Sequence, residues 1–227
     1  GAVPFSARAS QLPAYPFVHA SGSGATYVRP DIGAIDFEIV ANDTDPAAAR
    51  AVVESRIAQI RTLAEGLGIP ASDVEIRDVR KNIQKGSDTG PGTAVYELRS
   101  GAQIKVADLT KWAAFVGPLI DMPNLDGFAT SFDTTEREKV EADLLAQAMD
   151  AARRKALAMA KGAGMKLGAV TAVTNGDLKN LTRAMGLAPN DMRYSGSGSR
   201  AAEGRKGLLA IDIIKLAQPV DMIFRLK

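Results

Sequence analysis

From Phe17 onward, apolar residues alternate with polar ones in two short runs around Ser21-Gly22-Ser23-Gly24 and Arg29-Pro30-Asp31. The pattern reads as an opening β-hairpin. In its second strand Ile35, Phe37, Ile39 and Ala41 face one way while Asp36 and Glu38 face the other, as in a half-buried antiparallel strand. The period then changes. Val53, Ile57, Ile60, Ala64 and Leu67 recur at spacings of three and four, which predicts a helix over 46–67 with one apolar stripe. Asp45 caps it, and Pro46 sits where a missing N–H costs nothing. Gly68 supplies a left-handed stop, and Pro70 prevents continuation.

Val74 and Ile76 begin a strand that runs into Arg80-Lys81 and a Gly/Ser/Pro turn from Gly86 to Gly92. The return strand puts Tyr96, Leu98, Ser100, Ala102, Ile104 and Val106 on one face and Glu97, Arg99, Gln103 and Lys105 on the other. Asp108 caps a short helix built on Leu109, Trp112, Val116 and Leu119, which Pro118 kinks or ends. Phe128, Thr130 and Phe132 form another short strand. The longest helix opens with a capping-box pattern, Thr135-Glu136-Arg137-Glu138. Its apolar line is Leu145, Met149, Ala152, Ala156, Met159, Ala160 and Ala163, and alanine there lets the axis lie close to a sheet. Gly162, Gly164 and Gly168 break it, and Val170 to Thr174 form a strand. Two closing strands, Leu208 to Ala217 and Val220 to Leu226, join around Pro219.

Two segments lack any period. Residues 1–16 are rich in Pro, Ala and Ser and read as a mobile arm. From Asn175 to Gly207 the pattern fails: Leu178, Leu181 and Met185 suit a short helix, but Tyr194-Ser195-Gly196-Ser197-Gly198-Ser199-Arg200 is flexible by composition. A loop of that length is functional or disordered. The remainder, 17–227, is one domain, with a division into 17–133 and 134–227 left open.

Composition narrows the function classes. The absence of cysteine removes disulfides, thiolate nucleophiles and Cys-based metal sites. No apolar run approaches the roughly 18–20 residues of a membrane-spanning helix. The chain opens Gly1-Ala2-Val3-Pro4 without Met, as after removal of a leader or addition of a cloning scar. The net charge of +2 hides a split. Residues 1–150 carry 14 Lys and Arg against 21 Asp and Glu, while residues 151–227 carry 14 against 5. Such an asymmetry suits an anionic partner or self-association through complementary ends.

No catalytic constellation is visible. His19, the sole histidine, lies in a strand without local carboxylates at metal-ligand spacing. Gly22-x-Gly24 lacks the third glycine and the following helix that a dinucleotide site needs. Glu136, Glu138, Glu141 and Asp143 sit in an early helical turn, where the dipole favours acids without any catalysis. Ser195, Ser197 and Ser199 have no histidine base nearby in sequence. No catalytic residue, cofactor or metal is therefore assigned, and the chain is read as not an enzyme. The feature with functional pull is the basic stretch, and Arg193, Arg200, Arg205 and Lys206 are its candidate interface or anion-binding residues. Tyr194 alone interleaves an aromatic with those charges, too little for a nucleic-acid platform.

The order of Gly22-x-Gly24, Pro30-Asp31, the helix ending Leu67-Gly68-Ile69, Asp73-Val74, Asp108-Leu109 and Leu119-Ile120-Asp121 resembles the SIMPL-domain family. Ala148, Ala152, Lys155-Ala156 and Ala160, then Gly164, Leu167-Gly168 and Pro219-Val220, extend the resemblance over roughly Val18 to Leu226. That family includes periplasmic immunogenic proteins of Gram-negative bacteria. The resemblance implies an α+β fold: antiparallel sheet or sheets with one long Ala-rich helix and shorter helices packed on them. It also implies a periplasmic, exported protein that forms homo-oligomers, without an established enzymatic activity, in a family associated with envelope and oxidative stress. The leading expectation is a self-assembling envelope protein with 175–207 at the assembly surface. The alternative is a periplasmic binding or scavenging module for a small anionic ligand or envelope polymer.

Overall fold

Among the residues that the computed structural model describes, 12–85, 94–180 and 204–227, nine strands and three helices of ten residues or more follow one another. The fold is α+β, two antiparallel sheets with helices packed on them. The chain divides into two compact units. One holds the residues up to Thr26, Glu136–Asn180 and Lys215–Lys227. The other holds Tyr27–Thr135 and, of the later described residues, 204–214.

The larger unit is built on a five-stranded sheet. Its path runs β3 (Val74–Ile76), β5 (Ala94–Val106), β2 (Ile32–Asp43), β6 (Leu125–Asp133), with β4 (Arg80–Lys85) also on β5. The alternation read from the sequence sets the register: Ile35 lies opposite Ile104, and Phe37 opposite Ala102. Ile35, Ile39, Ala102 and Ile104 are fully buried, while Glu38, Glu97 and Arg99 lie on the opposite face. Helix α1 (Pro46–Gly66) buries Ala49, Val53, Ile60 and Ala64 in the same core. Its ends behave as expected. The Ala47 N–H donates to Asp45 Oδ1 at 2.9 Å, and Gly68 takes φ +73°. Asp108 likewise accepts from the Thr110 N–H at 3.0 Å, ahead of α2 (Trp112–Asp121). That helix runs past Pro118 rather than ending there. Trp112 packs against Phe132 with ring centroids 4.8 Å apart.

The smaller unit carries the sheet β1 (Phe17–Val28), β9 (Ile214–Leu226), β7 (Leu167–Asn175), with the short β8 (Lys179–Asn180) also on β9. Helix α3 (Arg137–Gly162) covers one face of it. The buried side chains of α3 are Leu144, Ala148, Ala152, Ala156 and Ala160, a strict four-residue repeat. Ala148, Ala152 and Ala156 share a core with Ala20, Val220, Met222 and Phe224. Methyl-sized side chains bring the helix backbone onto the strand, and glycine on the strand completes the approach. A Cβ on Gly24 would stand 2.5 Å from the Leu144 carbonyl oxygen.

β1 and β2 are not a hairpin: they belong to different sheets, and Ser21–Gly24 lies inside β1. Alternation marks a strand but carries no information about its partner. The apolar line of α3 is rotated from the expected one, with Leu144 and Ala148 inside and Met149 and Met159 exposed. Beyond Leu144 the covered face is all alanine, whose small side chain permits the close approach. No capping box forms. Thr135 bonds instead to the Asp31 carboxylate, its N–H to Oδ1 at 2.8 Å and its hydroxyl to Oδ2. A charged acceptor outcompetes a neutral cap. The two closing strands are one strand, Ile214–Leu226, with Pro219 inside it, and Leu208 sits in a helical turn over residues 204–209. The Gly86–Gly92 turn lies outside the described residues, as does most of the N-terminal arm. The end of that arm is held: the Leu226 N–H donates to the Pro16 carbonyl at 2.9 Å, and Arg225 stacks 4.1 Å from the Tyr15 ring centre.

Candidate functional site

Of the four basic residues singled out above, Arg193 and Arg200 lie outside the described residues. Arg205 is anchored within its own unit. Its Nη1 stands 2.6 Å from Asp121 Oδ1 and 3.3 Å from the Gly117 carbonyl oxygen, both on α2. The same turn is tied down by the Trp112 indole N–H, which donates to the Leu208 carbonyl at 3.1 Å. Lys206 beside it is exposed. The four therefore do not converge as a described set. The Arg205 pair joins side chains that are 49% and 67% exposed, where screening leaves an ion pair worth little.

His19 has partners that its own neighbourhood does not reveal. Residues 19 and 21 point to the same face of β1, and β9 brings Asp221 beside both. Ser21 Oγ donates to Asp221 Oδ1 at 2.5 Å, and His19 Nε2 stands 3.0 Å from the same oxygen. The Ser21 hydroxyl first, and His19 second, hold the Asp221 carboxyl below the usual carboxylate range. The three residue types are those of a nucleophilic triad, but the order of contacts is not. In a triad the serine proton faces the imidazole, which removes it. Here it faces the carboxylate, and serine and imidazole share one acceptor oxygen. The arrangement clamps two strands together. Sequence reasoning missed Asp221 because it lies 202 residues from His19. The available signal was the i, i+2 placement of His19 and Ser21.

A second polar group occupies the outer face of the five-stranded sheet. Arg99 Nε lies 2.7 Å from Glu97 Oε1, and its Nη1 lies 2.5 Å from Glu38 Oε2. Arg80 on β4 reaches the other Glu38 oxygen at 3.2 Å. Glu97 first and Glu38 second hold the Arg99 guanidinium still more firmly protonated than arginine ordinarily is. Every member of this belt is paired to an opposite charge, so it is built for cross-strand cohesion. Among the described residues no group of three His, Asp or Glu side chains stands together as a metal site requires.

Among the described residues, two surface clefts bear on binding. One, of about 530 Å³, lies at the C-terminal end of α1 between Arg61, Glu65, Ile69, Pro70 and Val74. Its lining sets Glu65 against Arg61, so it presents no net positive charge to an anion. The other, of about 460 Å³, lies at the end of α3 between Leu157, Lys161, Met165, Lys166 and Leu167. There two lysines flank an apolar floor. Among the described residues no helix is long and apolar enough to cross a membrane.

No curated protein matches this chain. A family model does: that of SIMPL, a protein of unknown function (DUF541), over residues 18–208. With most of the chain inside that match and the α+β architecture in place, the protein belongs to the SIMPL family.

Proposed function

We propose that this protein is a non-enzymatic cell-envelope component that self-assembles into a homo-oligomer. The observation that carries the reading is the exposed face of β1. Along β1 the inward positions Ala20, Gly22 and Gly24 are buried, while His19, Ser21, Ser23, Ala25 and Tyr27 are all exposed. Tyr27 is 70% exposed. An antiparallel sheet tolerates water on one face, but uncharged side chains and an exposed tyrosine suit association better than solvation. The non-enzymatic part draws on the Ser21 proton, which is committed to Asp221 rather than to His19. The split of charge between the acidic first 150 residues and the basic remainder gives copies an electrostatic reason to meet. Export to the periplasm and a link to envelope or oxidative stress are proposed on the family resemblance. Native mass by light scattering across concentration tests the assembly; a strict monomer at every concentration overturns it. Fractionation of cells expressing the full gene product tests the compartment.

The cleft at the end of α3 favours a second reading, a binding module for a small anionic ligand or envelope polymer. Lys161 and Lys166 would meet the anion, and Leu157 and Met165 its apolar part. A thermal-shift screen separates the two readings. A ligand that binds the folded chain raises the melting temperature by mass action, whereas assembly alone ignores small molecules.

A further inference from the structure

We propose that the free edge of β7 pairs with the same edge of a second copy, antiparallel across a two-fold axis at Val173. This rests on the self-assembly reading and gives it a location. β7 ends the sheet of the smaller unit, and among the described residues β9 is the strand that pairs with it. Two register shifts bend its first half, after which Ala172 to Asn175 run in regular register against Ile223 to Val220. A strand whose sheet is covered on one face should alternate between buried and exposed. Residues 171–175 do not: all five are exposed, so this stretch overhangs the core on both faces with its edge open.

The outer strands of the larger sheet are guarded. β4 carries Arg80 and Lys81, and β6 carries Asp126 and Asp133; charge is a standard defence of an unpaired edge. β7 carries none from Leu167 to Asn175. β1 is uncharged too, but its alternate residues lie beneath α3. An edge left unguarded and overhanging fits a partner strand, and the sequence of β7 fits itself. With the axis at Val173, each Thr171 lies opposite Asn175 of the second copy, each Ala172 opposite Thr174, and the two valines face each other. Every pair is small and uncharged, so no like charges meet, and Val173, 48% exposed alone, becomes covered. The main-chain groups of the edge gain the ladder they lack.

The test uses the full chain as wild type, Val173→Lys, Val173→Asp and an equal mixture of the two variants, each followed by light scattering across concentration. Like charges on the axis should weaken each variant's self-association by about tenfold or more in dissociation constant. The mixture places Lys opposite Asp and should return toward the wild-type mass, which misfolded chains cannot do. Variants that assemble as well as wild type, or a mixture that stays at the variant mass, overturn the β7 pairing while leaving self-assembly by another surface intact. A wild type that is monomeric throughout overturns the self-assembly reading itself.

Discussion

Gly22 lies so close beneath Ala148 that a Cβ on Gly22 would stand 2.0 Å from the Ala148 carbonyl oxygen. The same atom would be 2.6 Å from the Ala152 amide nitrogen. What blocks it is helix backbone, which cannot rotate away as a side chain can. The glycines of β1 and the alanines of α3 are thus two halves of one contact, and neither half explains itself alone.

Adding a single methyl there should push strand and helix apart. Gly22→Ala is expected to cost about 1–3 kcal/mol or more, and Gly24→Val a similar amount, as overpacking does in a well-packed core. The midpoint of urea denaturation reads this directly. An unchanged midpoint in Gly22→Ala would show that the seam is looser than described.

Trp112 should anchor the turn over 204–209. Trp112→Phe leaves the buried Leu208 carbonyl without its donor, for an expected loss of about 1–3 kcal/mol. Hydrogen exchange at residues 204–209 should quicken in the variant. Because Trp112 is the sole tryptophan, circular dichroism replaces fluorescence as the probe. Exchange as slow as in the wild type would show that the indole does not hold the turn.

The Asp221 clamp predicts a pH dependence with a definite sign. Its carboxyl is held below the ordinary value of 3.8, so the folded chain favours the ionised form. The contribution is therefore complete above about pH 4 and fades as the pH falls through the lowered folded value. Asp221→Asn should be less stable than wild type at pH 6, with the gap closing toward pH 2. A gap that stays constant across that range would mean that the charge on Asp221 is irrelevant to the clamp.

Charge in the basic stretch should matter for association and not for folding. A variant with Arg193, Arg200, Arg205 and Lys206 all changed to Ser is expected to keep its circular dichroism but to associate less well at low salt. The Debye length falls from about 10 Å at 0.1 M to about 3 Å at 1 M, so the wild type should approach the variant as salt rises. Strand-edge pairing at β7 involves no charge and should survive that change. Normal assembly of the variant at low salt would make the charge asymmetry a matter of solubility.

Local chemistry was readable from the chain itself. Asp45, Pro46 and Gly68 delimit α1, Asp108 caps the turn before α2, and the alternation from Tyr96 to Val106 assigns both faces of β5. These signals act within a few residues of backbone, where capping, φ and periodicity decide the outcome. The order of short motifs carried the family as well. Partner choice was not readable. Nothing near Phe17 says that β1 joins β9 rather than β2, because alternation sorts side chains to faces and leaves the hydrogen-bonding edge unspecified. For the same reason Asp221 was invisible beside His19 and Ser21 until the sheet formed. The rotation of α3 was decided by what lies beneath it: methionine is the more hydrophobic choice, but Gly22 meets the helix backbone at Ala148 and Ala152, where only a small side chain fits. The sequence by itself determined most of the elements, the ends of α1 and the family. Tertiary structure alone decided which strands pair, which helix face is covered and which edge is left open, because those depend on contacts between residues far apart in the chain.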